Sequence, residues 1–130
     1  MPEAIKFVGA RLPGGWAEVM RRNHGLAVAA RKMICEALEI EVPCPDGLIG
    51  SLAAIPIPDA PVGPQAKAPW FIDPLQDRLL FKHGIEVPVI PWPAGPRRLL
   101  RVAAQLYNSL PQYVRLAMVL RKMLRLPKSK

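Results

Sequence analysis

Residues 98–109, RLLRVAAQLYNS, hold the side chains whose type and spacing most clearly suggest chemistry. Alternate positions put Leu100, Val102, Ala104 and Leu106 on one side of an extended segment and Leu99, Arg101, Ala103 and Gln105 on the other, the period of a half-buried strand. Arg101 therefore sets a guanidinium among Leu and Ala. A strand needing only solubility spreads several charges over its outer face. An arginine placed this way has a specific anion to hold, because its planar fork of donors matches a carboxylate two bonds at a time. That anion is either a ligand or a carboxylate of the chain itself, with Asp59, Asp73 and Glu86 as candidates. Asn108 offers a similar choice between a ligand contact and a cap or turn side chain beside Ser109.

The other reactive residue types converge less. His24 and His83 fall on separate helical segments with no thiol or carboxylate pair nearby, which excludes a recognisable metal site. Cys35 and Cys44 have no CxxC spacing, and the first ten residues lack a basic start followed by a long apolar run. A reduced, cytoplasmic protein is expected. No apolar run approaches the roughly 20 residues that span a bilayer.

The formal charge of +8 invites a nucleic-acid partner. The cations gather in three places: Arg21, Arg22, Arg31 and Lys32; Arg97, Arg98 and Arg101; and Arg115, Arg121, Lys122, Arg125, Lys128 and Lys130. No stacking aromatic pair, zinc-finger spacing or helix-turn-helix signal goes with them, so they read as solvated helix faces and a basic tail.

The elements that must position Arg101 follow from periodicity and punctuation. Apolar residues from Trp16 to Leu38 recur every three or four positions, which predicts a long amphipathic helix over 14–39, after a Pro13-Gly14-Gly15 break and with Asn23 as a polar intruder on its buried stripe. PCPDG at 43–47 is a turn, and 50–57 reads as a short strand near an edge. Residues 58–70, with four prolines, form a surface loop. Asp73, Pro74, Gln76 and Gly84 bracket a helix over 74–83. The β-rich run 85–90, the turn 91–96 and the strand 97–106 make a hairpin, and Ser109 with Gln112 caps a final helix over 110–125. The order α-β-α-β-β-α predicts one α+β domain over 1–130: a short antiparallel sheet of about three strands, covered on one face by helices.

The run from Arg101 to Ser109 resembles the RIS-x-x-x-YN-[ST] signature near the C-terminus of class V aminotransferase-like enzymes, the fold-type I pyridoxal-phosphate group. Ala103 departs from it, where the family has Ser. LPGGWAEVMRRNHGLAVAAR (12–31), GLIGSLAAIPIPD (47–59) and residues 73–109 resemble the isopenicillin N epimerase-like branch in particular, so the likeness covers nearly the whole chain.

The resemblance implies a small C-terminal domain with an antiparallel sheet, in which Arg101 binds the α-carboxylate of an amino-acid substrate and Asn108 follows the strand as the family's Asn does. It also implies that the first helix and the arginine-bearing strand lie against a large domain, leaving Phe7, Trp16 and Trp92 uncovered in the chain alone and favouring self-association or a partner domain. In the family the cofactor lysine, the acid paired with the pyridine nitrogen and the phosphate-binding residues all belong to that large domain. None of the lysines here has the cofactor lysine's context. The expectation is thus a truncated, substrate-binding part of a dimeric pyridoxal-phosphate enzyme, with no catalytic, cofactor or metal residues of its own. The alternative is a self-standing basic module that meets an anionic partner, such as nucleic acid, through Arg97, Arg98, Arg101 and the C-terminal helix.

Overall fold

The computed structural model describes residues 2–61 and 73–124. Most of the 58–70 loop, Lys67 and the end of the basic tail therefore lie outside the described residues.

The first helix, α1 (Pro2–Gly9), buries none of its side chains and was not foreseen from the sequence. It is held to the next helix, α2 (Gly15–Leu38), from outside: the Trp16 indole N–H donates to the Ile5 carbonyl at 3.2 Å. The same ring lies so close over Gly9 that a Cβ there would come within 2.6 Å of the indole nitrogen. Gly15 takes the left-handed conformation that begins α2 (φ 62°), a turn that glycine makes without steric cost.

The expected stripe on α2 is present as Val19, Asn23, Ala27, Ala30, Ile34, Cys35 and Leu38, but it also carries Arg31. Arg31 is 0% exposed, which corrects its assignment to a solvated face. Its Nη1 donates to the Cys44 carbonyl (2.9 Å) and to Cys44 Sγ (3.1 Å), and its Nη2 pairs with Asp46. The segment after the helix thus folds back to satisfy the charge, as burial of a guanidinium demands.

A short 3₁₀ turn (Asp46–Leu48) leads into β1 (Leu52–Ile57), whose Ala53, Ile55 and Ile57 point inward. Helix α3 (Pro74–His83) begins at Asp73, whose carboxylate accepts from the Leu75 amide at 2.8 Å, and ends at Gly84 with φ 61°. Strand β2 is only Val89–Pro91, shorter than the predicted run because Pro88, which breaks that run, cannot donate to a ladder. Strand β3 (Arg98–Ala103) is central: the order is β1-β3-β2, antiparallel throughout, with Ala54 opposite Arg101 and Val89 opposite Leu100. Pro56 is tolerated because β1 is an edge. Helix α4 (Leu110–Met123) opens with the predicted Ser109–Gln112 capping box.

The core forms where α2, α3 and α4 cover one face of the sheet, and Ile34, Ile55, Leu79, Leu100 and Leu120 meet there. On the other face Leu52, Ala54, Pro56, Arg101 and Ala103 remain exposed. The predicted α+β architecture is the observed one. Among the described residues no helix is long and apolar enough to cross a membrane.

Candidate functional site

The alternation of β3 gives its two arginines opposite fates. Arg98 shares the inward parity of Leu100 and Val102 and is buried. Its Nη1 reaches both oxygens of Asp73 at 2.9 and 3.0 Å, and its Nε donates to the Pro58 carbonyl at 2.8 Å. Arg98 is thereby withdrawn from the basic surface to which the sequence reading had given it. Arg101, three residues later, faces the uncovered side and is exposed. Its backbone is fixed by pairing with Ala54 and by its amide N–H donating to the Pro88 carbonyl at 3.0 Å. Among the described residues no carboxylate lies within ion-pairing distance of its guanidinium. Of the three acids that could have claimed it, Asp73 is taken by Arg98.

Arg101 borders a cleft of about 510 Å³ at the end of the sheet, between the segment leading into β2 and the start of α4. Glu86, Tyr107, Asn108 and Arg115 line it as well, with Leu52 from β1. The β3–α4 connection shapes one wall. Asn108 Oδ1 accepts from the Gln105 amide at 2.9 Å, and its Nδ2 donates to Gln112 Oε1 at 3.3 Å. Its amide therefore builds the turn, the role that stood beside ligand contact in the sequence, and the turn leaves the Tyr107 side chain 84% exposed.

Beneath the cleft Tyr113 donates its hydroxyl to the Ala103 carbonyl at 2.6 Å. Burial, with a smaller contribution from Tyr107, pushes the Tyr113 phenol above its usual range, so it stays a protonated donor. On the far wall Arg115 Nη2 donates to the His83 carbonyl at 2.6 Å, closing the C-terminus of α3. Trp92 sits in the β2–β3 turn, where its amide N–H donates to the Arg97 carbonyl, and does not line the cleft.

An exposed guanidinium with both of its forked edges open, on a backbone held from two sides, can bind a carboxylate without first breaking an internal pair. The cleft contains no nucleophile–base pair, and among the described residues no group of three or more His, Cys, Asp or Glu could hold a metal. Sequence reading found Arg101 and Asn108 but treated Glu86 as a rival acid and Arg115 as one of a basic series. Both reach the cleft only through tertiary folding. Comparison with models of known protein families finds no match, and neither does comparison with curated proteins.

Away from the cleft, Phe7, Trp16 and Trp92 are exposed, as expected of the chain alone, and Arg11 stacks over the Phe7 ring at 4.1 Å. His24 is half-buried within α2 with Nδ1 3.1 Å from the Ile49 carbonyl.

Proposed function

We propose that this chain is the substrate-carboxylate-binding domain of a class V aminotransferase-like, pyridoxal-phosphate-dependent enzyme of the isopenicillin N epimerase-like branch. The observation that carries the reading is Arg101: an arginine on a fixed backbone with no counter-ion among the described residues, at a cleft on the sheet face that the helices leave bare. A small domain built on an antiparallel sheet is also what the resemblance implies. In this reading the bare face and the exposed Phe7, Trp16 and Trp92 are surfaces for a large domain or for a second copy.

The described residues do not fit the cofactor. Pyridoxal phosphate needs a lysine at the site. Lys6 pairs with Glu3 and Lys32 with Asp46, Lys82 and Lys122 sit on exposed helix faces, and none of the four borders the cleft. No step through the cofactor is therefore assigned to this chain. Its part is to bind and orient a substrate carboxylate.

The test is a titration of the chain with L-alanine, followed by NMR at the Arg101 Nε–H resonance. Binding should shift that resonance, and Arg101→Lys should weaken binding by about tenfold, because an ammonium keeps the charge and loses the two-pronged geometry. The basic-module alternative is checked with a DNA duplex. Duplex binding that falls steeply with salt, combined with no response of Arg101 to the amino acid, would replace the carboxylate reading.

A further inference from the structure

We infer that the cleft is built for an acidic amino acid, one that presents two carboxylates and one ammonium. This deepens the proposed function and rests on it. Three charged side chains line the cleft, Arg101 from β3, Arg115 from α4 and Glu86 from the segment before β2. No ion pair joins any of them to another or to a further described residue. Two cations and one anion are the charge complement of two carboxylates and one ammonium. The match is by number and by sign.

Arg115 uses Nη2 to hold the His83 carbonyl, so its orientation is fixed by a backbone contact while its remaining donors have no partner among the described residues. That is a preorganised second cation rather than a freely rotating one. A volume of about 510 Å³ leaves room for a whole amino acid and not only for the carboxylate on Arg101. Leu52 and the exposed Tyr107 ring give the methylenes of its side chain an apolar wall. In this arrangement Arg101 takes the α-carboxylate, Glu86 faces the ammonium and Arg115 takes the side-chain acid. Binding is electrostatic and forms or breaks no covalent bond. A neutral side chain of the same shape satisfies Arg101 and Glu86 but leaves Arg115 without a counter-ion.

The experiment compares each acid with its isosteric amide, L-glutamate with L-glutamine and L-aspartate with L-asparagine. Each is titrated into the chain at constant ionic strength and followed in ¹H–¹⁵N NMR spectra, which also show that every variant is folded. At least one acid should bind about fivefold more tightly than its amide. Arg115→Gln should abolish that preference, and Arg101→Gln should weaken all four ligands. Equal affinity of acid and amide in both pairs overturns the inference and leaves the carboxylate site standing, as does a preference that survives Arg115→Gln. Binding indifferent to Arg101→Gln, or no binding of any of the four, removes the carboxylate site itself and the inference with it.

Discussion

Replacing Asp73 with Ala tests whether Arg98 belongs to the core or to a binding surface. The Arg98 and Asp73 side chains are 4% and 3% exposed, and one guanidinium nitrogen contacts both carboxylate oxygens. Removing the carboxylate leaves a buried cation whose remaining partner is the Pro58 carbonyl, a loss of about 3–5 kcal/mol. The Leu75 amide also loses its cap acceptor, which adds about 1 kcal/mol. Against the roughly 5–15 kcal/mol that holds a typical domain folded, Asp73→Ala takes the chain close to its unfolding threshold. Asp73→Asn keeps an acceptor for both donors and should cost less. The double variant Asp73→Ala/Arg98→Met removes both charges together. It should recover most of the loss, because exchanging a buried pair for apolar groups is near neutral, and leave mainly the missing cap. Urea unfolding followed by far-ultraviolet circular dichroism measures all four proteins. Asp73→Ala within about 1 kcal/mol of the parent, or a double variant no more stable than the single one, would refute the reasoning and return Arg98 to the surface.

Two further outcomes follow from the α2 side of the molecule. The hydrogen bond from Lys32, helped by Arg31 and partly opposed by desolvation, holds the Asp46 carboxyl below its ordinary value of 3.8. A carboxylate depressed in the folded state contributes stability that is present above its unfolded value and lost as pH falls through the folded one, so stability should decline below about pH 4, and Asp46→Asn should flatten that decline in an acid titration by circular dichroism. Brief iodoacetamide treatment at neutral pH should alkylate Cys44 well before Cys35, because Cys35 is 1% exposed and its burial pushes the thiol up, whereas Cys44 is partly exposed; equal labelling by peptide mass would contradict the packing around α2.

The helix ends were legible because their causes are local. Asp73, Pro74 and Gly84 mark both ends of α3, and Ser109 with Gln112 marks the start of α4, without reference to anything distant. What escaped depends on partners remote in sequence. Helix α1 buries nothing and rests on Trp16, and its eight residues are too few for an apolar period to repeat. Arg31 lies on the buried stripe of α2 because Cys44 and Asp46 return to meet it, and a periodicity that counts only apolar residues passes over it. Arg98 is the instructive case, because its parity with Leu100 and Val102 already placed it inward. Only its counter-ion, 25 residues earlier, was hidden. The cleft divides in the same way. Arg101 follows from the alternation of one strand, whereas Glu86 and Arg115 meet it through the β2–β3 hairpin and the packing of α4.

The neighbours of Arg101 explain why parity alone can make it a binding group. Its cross-strand partner is Ala54 and the next residue on its own side of β3 is Ala103, both exposed and both too short to cover a guanidinium. A larger side chain at either place would shield the guanidinium, and an acidic one would neutralise it, since opposed residues in an antiparallel pair lie about 5 Å apart at Cβ. The resemblance implies Ser where Ala103 stands, a residue of nearly the same size, so the departure leaves the guanidinium uncovered. Small neighbours would be a poor choice for a face meant only for solvent, where polar side chains do better. They suit a face on which one arginine stays accessible while the backbone beneath it, paired with β1 on one side and donating to the Pro88 carbonyl on the other, holds it in place.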